Sequence, residues 1–437
     1  MATKAKSKGM LGDIISTFGT NLIGVPLAFI FTFFSAKYIS PDARGAVTMY
    51  QLVGNTLLTL LTFSLTSGII YYTSKFQYKN VKKSIMQLTL LCLGAILFVG
   101  LATAFILKDN YFKETPFIFV LLAIAYAMFS FVSSVFLCIL RGENKFTEYN
   151  MIVLIQKVLV TVLVIPIIIL PDPMVIVFTG LFTITVSIVI CIVIIKKLPT
   201  NDDGEKNEIV TKATLFKYSA KAYSSNLLTF VNTMVSQYIL GESSLANLSF
   251  YSFAYALVEQ LWLLPNAVSM VVLSRLAQMS ESDGREKITI LSCKIVTWIT
   301  LVCAVLLMVA ADLFVPIVFP QYIGSIAPLK ILVIGSYFIS YAKVLGNSVA
   351  GYGKPELNII PTALGLSVNT VLGFTMIPIF GIIGAAIATS VSLTIQGIAV
   401  TIIFCRHTNT PIYKLVVPTA QDIILIKSVL PKRGGKK

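Results

Sequence analysis

The chain is an almost unbroken succession of apolar stretches, each roughly 20 residues or longer and so able to cross a hydrocarbon core about 30 Å thick as a helix. We count twelve, at 11–36, 45–72, 84–107, 116–140, 151–170, 174–195, 217–240, 246–274, 288–312, 328–350, 358–378 and 382–405. Lipid offers no partner to a free backbone N–H or C=O, so each stretch must be helical. Charged residues make up 12% of the chain, against about 25% in soluble domains. That overrules the two or three soluble domains that 437 residues would otherwise suggest. The sequence predicts an all-α polytopic membrane protein with about 12 transmembrane helices. The first stretch is too long for a signal-peptide core and no small-residue cleavage site follows it, so it is expected to be retained.

An internal repeat lies within this succession at an offset of 200 residues. Lys37-Tyr38-Ile39 answers to Gln237-Tyr238-Ile239, Asp42 to Glu242, Ala46 to Ala246, Leu61 to Leu261, and Ser74-Lys75 to Ser274-Arg275, with no gap from 35 to 75. Single matches in apolar sequence carry little weight; the shared register of the polar residues is what counts. Two fused copies of one helical bundle are the usual architecture of an alternating-access transporter. The expected organisation is an N-lobe over 1–200, a cytoplasmic linker over 201–216, a C-lobe over 217–405 and a basic cytoplasmic tail over 406–437. The linker carries Asn201-Asp202-Asp203-Gly204, a polar, turn-forming run. Each copy has six spans and starts on the same side, so the repeat is parallel.

Orientation follows from the basic residues. With the N-terminus inside, 26 Lys and Arg fall in inner segments and five in outer loops. That asymmetry puts both termini in the cytoplasm of a plasma (inner) membrane protein. The net charge of +15 is then mainly a topology signal. Nucleic-acid binding is not expected, because the basic residues are scattered among inner loops. Six cysteines without C-x-x-C spacing and a single histidine, His407, argue against disulfides and metal sites. There is no G-x-x-x-x-G-K-[ST] loop for ATP hydrolysis, and the outer loops are too short to hold a catalytic domain. An enzyme is not expected, and no cofactor.

Polar residues recur at helical spacing inside the spans. Span 2 carries Gln51, Asn55, Thr59, Thr62 and Thr66; span 8, shifted by 200, carries Tyr251, Tyr255, Glu259, Trp262 and Asn266. Span 1 has Asp13, Thr17, Asn21 and Gly24 before Pro26, and span 7 has Lys217, Lys221, Ser225, Thr229, Asn232 and Ser236. Such a face must meet protein or water. Thr and Asn gluing helix to helix is the plainer alternative, but the matched stripes favour a cleft lined by spans 1, 2, 7 and 8. Glu259, near the middle of span 8, is expensive in lipid unless paired, hydrated or protonated. It is either a proton- or sodium-coupling site, with Asp13 as a second candidate, or a partner for a cavity lysine; the plainer alternative is a structural ion pair or a protonated, hydrogen-bonding Glu. Lys343 lies on span 10 in a row with Ser336, Ser340 and Asn347, and Lys221 begins the row on span 7. Both are expected to face the cleft. Lys157 and Lys294 have apolar neighbours and are expected to snorkel.

Several motifs resemble a known family. They are Ala36 to Gly45 between spans 1 and 2, Gly241 to Tyr251 followed by Tyr255 to Pro265, the turn Gly353-Lys354-Pro355-Glu356-Leu357-Asn358, and most specifically Asn369 through Ile377-Pro378-Ile379-Phe380-Gly381 to Thr389. Together they resemble the polysaccharide transporter (O-antigen flippase, Wzx-type) family of the multidrug/oligosaccharidyl-lipid/polysaccharide exporter superfamily, over nearly the whole chain except the tail. The resemblance implies a V-shaped pair of six-helix lobes. It also implies transfer of an undecaprenyl-(pyro)phosphate-linked oligosaccharide from the inner to the outer leaflet for surface polysaccharide of O-antigen or capsule type. The implied partners are that lipid-linked glycan, membrane lipids and polysaccharide polymerase machinery. Members often carry an Arg and an Asp late in span 7, where this chain has Asn232-Thr233-Met234-Val235-Ser236, so a coupling role for that pair does not carry over.

The residues fit an anionic substrate. A diphosphate needs cationic and hydroxyl-rich walls, which Lys221, Lys343, Asn21, Gln51, Asn55, Tyr251 and Tyr255 would supply. A cation-coupled multidrug antiporter of the same superfamily is the nearest rival, and a membrane glycosyltransferase or polymerase is the rival from another class.

Overall fold

The computed structural model describes residues 19–20, 23–24, 26–76, 78–197, 210–278, 284–352 and 354–417, and among them every regular element is a helix. We number α1 (26–38), α2 (Pro41–Leu61), α3 (Leu65–Lys75), α4 (Tyr78–Leu107), α5 (Phe117–Gly142), α6 (Phe146–Leu163) and α7 (Pro173–Lys196). There follow α8 (Lys212–Ser243), α9 (Leu245–Glu259), α10 (Leu263–Gln278), α11 (Arg285–Val318), α12 (Ile326–Gly351), α13 (Ile359–Thr408) and the short α14 (Tyr413–Val416). Packing gathers the chain into two compact units, Met1–Phe250 with Val318–Tyr322, and Tyr251–Ile317 with Ile323–Lys437.

In the first unit the start of α2 shows how local sequence sets an element. Ser40 caps it, its hydroxyl accepting from the Ala43 amide at 3.4 Å, and Pro41 and Asp42 occupy the first turn. There a missing N–H costs nothing and a carboxylate meets the positive end of the helix dipole. Gly45, which closes the first sequence motif, lies so near the Leu245 carbonyl that any Cβ would overlap it. The contact lets α8 and the start of α9 lie close along α2. Further along, Tyr238 donates to the Leu52 carbonyl at 3.3 Å and to the Thr56 hydroxyl. Gly68 on α3 faces Ser219 on α8. The Val318–Tyr322 segment joins this unit because Gln321 donates to the Ala36 and Ile39 carbonyls at the end of α1. Those carbonyls have no partner within their own helix. Arg44 stacks on the Tyr322 ring, whose hydroxyl lies 3.1 Å from that of Ser249.

By packing, then, α8 belongs with α2 and α3, and the boundary between units falls after Phe250, not within 201–216. Packing records which surfaces touch in one conformation. The lobe division at 201–216 rests on the repeat and is retained as part of the proposal below.

The second unit is built on α12 packed between α10 and α13. The Gly335 amide donates to the Ser390 hydroxyl at 2.9 Å, and the Asn358 amide group to the Gly346 carbonyl at 2.9 Å. The expected spans 358–378 and 382–405 are one helical run broken at Gly381, whose φ of 54° and ψ of −128° no ordinary side chain tolerates. Pro378 precedes the break and removes a backbone donor just before it. Lys294 departs from its expected snorkelling: its side chain is buried, 6% exposed, and engaged with neighbouring groups.

Among the described residues seven helices are long and apolar enough to cross a membrane, or eight if the bent pair α2–α3 is one span. The twelve expected stretches are not matched one for one. α13 takes up two of them, and α8 carries too many lysines, serines and asparagines to qualify by hydropathy.

Candidate functional site

One expected span is sharply bent and another carries a tightened 3-10 turn, and the two irregularities overlap at equivalent positions of the 200-residue repeat. Span 2 is α2 and α3, bent by 55° across Thr62, Phe63 and Ser64. Span 8 is α9 and α10 joined by a 3-10 turn over Gln260–Trp262. Thr62 and Trp262 are 200 residues apart. Broken helices at corresponding positions of two repeats are where transporters commonly place their substrate site, because an interrupted helix exposes backbone groups and side chains at mid-membrane.

The causes of the two breaks differ. At 260–262 the agent is Pro265, which has no N–H to return to the Leu261 carbonyl, so the preceding turn tightens. At 62–64 no proline or glycine is present. The Thr62 hydroxyl turns back to the Leu58 carbonyl at 2.7 Å, a competition that bends helices. Phe63 and Ser64 then both adopt left-handed backbone, with φ of 47° and 52°. A β-carbon there costs about 1–2 kcal/mol per residue. The freed Leu60 carbonyl is met by the Tyr223 hydroxyl of α8 at 3.1 Å.

Around the second break the side chains singled out from the sequence come together within one unit. Lys343 Nζ sits 4.1 Å from the centroid of the Trp262 ring and donates to Asn266 Oδ1 at 3.1 Å. The Glu259 carboxylate lies within range of its charge. The lysine is thus held by an aromatic face and an amide, with the Glu259 carboxylate near enough to act on its charge. From Trp262 the aromatic contacts continue edge-on to Tyr255 and stacked to Tyr251, whose hydroxyl is 2.8 Å from that of Thr389. Tyr251 and Tyr255 are buried and Glu259 is exposed. In this conformation the two tyrosines form the wall that fixes Trp262, and Glu259, Lys343 and Asn266 are its polar rim. The Trp262 indole N–H is buried without a hydrogen-bond partner.

Around the first break Gln51 is exposed and Asn55 half-buried on α2. An apolar cavity of about 240 Å³ opens beside the break, walled chiefly by Phe63, Leu65, Leu88, Leu91, Cys92 and Phe216. Phe63 meets the rings of Phe216 and Tyr223. Lys221 lies on α8, with its side chain outside the described atoms, and Asp13 and Asn21 lie outside the described residues. The sequence reading had assigned the stripe but missed both breaks. Pro265 was the legible sign of one; a left-handed Phe-Ser pair has no sign in the sequence.

The fold so described is that of a polytopic all-helical membrane protein. It is similar to a structure titled as the lipid II flippase MurJ in an inward closed conformation, with a TM-score of 0.72 at 16% identity over 98% of this chain and 94% of that one. It is also similar to an inward-facing multidrug resistance MATE family transporter of the MOP superfamily, with a TM-score of 0.63 at 14% identity over 87% and 94%. The chain belongs to the polysaccharide biosynthesis protein family, whose model matches residues 10–280, more than half its length. In sequence it is 33% identical over 109 residues to an uncharacterized membrane protein of Methanocaldococcus jannaschii, a stretch that is 25% of this chain and 21% of that protein.

Proposed function

We propose that this protein is a flippase that carries an undecaprenyl-(pyro)phosphate-linked oligosaccharide from the cytoplasmic to the outer leaflet of the plasma (inner) membrane for surface polysaccharide synthesis. The observation that carries the reading is the bend of span 2 and the 3-10 turn of span 8 at equivalent repeat positions, the latter fitted with a lysine, an indole and an amide at membrane depth, with a carboxylate nearby. On this reading the lobes are 1–200 and 217–405, both termini are cytoplasmic, and the glycan passes to polymerase machinery outside. Family membership supports the substrate class, and the fold supports alternating access.

Glu259 and Lys343 have linked tasks in this account. While the site is empty the carboxylate compensates the lysine; an arriving phosphate competes for the same ammonium and frees Glu259 to take up a proton or sodium ion. Asp13 remains the second coupling candidate. The test is complementation of flippase-null strains with defined glycans, reading surface polysaccharide. The wild-type chain should restore it with at least one glycan. Lys343→Ala should lower it about tenfold or more, as the loss of one charge-assisted contact implies, and Lys343→Arg should recover part. Normal export by a Lys221→Ala, Lys343→Ala double variant would reject the cationic site. Drug efflux without glycan export would instead select the antiporter reading, which the similarity to the MATE fold keeps in view.

A further inference from the structure

The apolar cavity beside the bend of span 2 is walled by four helices of the first unit, α2, α3, α4 and α8. The wall residues that reach the surface, Phe63, Leu91 and Phe216, are all large and apolar. The one hydroxyl in the wall, that of Thr62, is already given to the Leu58 carbonyl at 2.7 Å. Cys92 behaves as a small hydrophobe. At about 240 Å³ the cavity is smaller than the pockets that enclose whole drug-sized molecules, yet it admits a stretch of hydrocarbon chain. Left empty, its walls would forfeit dispersion contacts. In a bilayer the hydrocarbon at hand to fill it is a lipid tail.

Two of the helices that wall the cavity also carry cations toward one end. Lys83, Gln87 and Leu91 follow at steps of four along α4, and Lys212 and Phe216 do so at the start of α8. Each helix therefore presents a lysine and a cavity wall on one face, and all five side chains are exposed. The Ser84 hydroxyl donates to the Val210 carbonyl at 2.6 Å in a buried contact. That bond ties α4 to the entry of α8 at the residue after Lys83 and two residues before Lys212, so the two lysines stand at the same end of the helix pair. The helix rise from Lys83 to Leu91 is about 12 Å and from Lys212 to Phe216 about 6 Å. Both are less than half of a hydrocarbon core about 30 Å thick, so the cavity lies in the leaflet whose headgroups the lysines meet.

We propose that Lys83 and Lys212 hold the phosphate of an anionic phospholipid, one of whose acyl chains fills the apolar cavity beside the bend of span 2. Basic residues at the ends of neighbouring transmembrane helices recognise such headgroups by charge, and the cavity above them fixes the chain. In the orientation proposed above the lipid belongs to the cytoplasmic leaflet; the site itself does not depend on the flippase reading. Phe63 and Phe216 are wall residues in ring contact at 5.6 Å, so a chain lodged against them also braces the bend.

The test is photolabelling of the purified full chain in phosphatidylcholine nanodiscs. The probe is phosphatidylglycerol with a diazirine on one acyl chain, and labelled residues are located by mass spectrometry. Label is expected on Leu88, Leu91, Cys92 and Phe216, displaced by unlabelled phosphatidylglycerol and not by further phosphatidylcholine. Lys83→Gln and Lys212→Gln should each raise the phosphatidylglycerol needed for half-displacement roughly fivefold, and the Arg variants should leave it near wild type. Ala95→Phe keeps both lysines but puts a ring into the cavity, and should remove the label from Leu88 and Cys92. Equal displacement by phosphatidylcholine overturns the proposal, because the cavity then takes any neighbouring lipid. So does unchanged labelling in the Lys83→Gln, Lys212→Gln double variant, which decides alone should Ala95→Phe not fold. Displacement by farnesyl diphosphate at a lower concentration than by phosphatidylglycerol overturns it too, and assigns the cavity to an isoprenoid phosphate. None of these outcomes bears against the flippase reading, whose own test is export.

Discussion

The break in span 2 and the break in span 8 occupy equivalent places in the repeat, yet they are made by opposite means and hold opposite chemistry. The first is forced into left-handed backbone at Phe63 and Ser64 and opens onto an apolar cavity. The second keeps ordinary helical backbone, tightened by Pro265, and gathers Lys343, Trp262, Asn266 and Glu259. One is an apolar notch and the other a charged seat.

The sharpest test of this contrast is Trp262→Ala. Trp262 is 8% exposed and carries Lys343 on its face. Truncation of a buried indole costs about 3–5 kcal/mol, to be read as a large fall in the unfolding midpoint of the reconstituted protein. Stability near wild type would mean that the charged seat is not packed as described.

The next pair should show opposite signs. Ser64→Gly relieves a left-handed residue and is expected to stabilise by about 1 kcal/mol. Gln260→Gly, in backbone of negative φ, is expected to destabilise by about 1 kcal/mol. Equal signs in a thermal-unfolding series would erase the distinction between a strained and an unstrained break.

The smallest effect expected is that of Tyr223→Phe. It leaves the ring against Phe63 but removes the donor to the Leu60 carbonyl, for about 0.5–1.5 kcal/mol. Faster amide exchange confined to residues around Leu60 would locate that loss at the break. Exchange unchanged there would show that water serves the carbonyl instead.

Much of this was legible in the residues. Apolar length fixed the class, the 200-residue repeat located the equivalent helices, and helical spacing put Tyr251, Tyr255, Glu259, Trp262 and Asn266 on one side of span 8. Pro378 and Gly381 marked the division within α13. The lysines were read less well. Lys157 and Lys294 had the same apolar neighbours in sequence and received the same reading, but one crosses a glycine of another helix and the other is buried in its own unit. Sequence neighbours report the helix a lysine stands on, whereas its fate depends on the helix it faces.

The sequence by itself determined that this chain is a helical membrane protein, because lipid permits a chain so apolar little else. Only the tertiary structure decided that Lys343 lies over Trp262, that Tyr251 and Tyr255 are a wall and Glu259 a rim, and that Phe63 and Ser64 turn left-handed. The first two depend on contacts across tens or hundreds of residues, such as Lys343 over Trp262 or Tyr251 against Thr389. Helical periodicity assigns a side chain to a face of its own helix; what stands opposite that face is settled only when the helices pack.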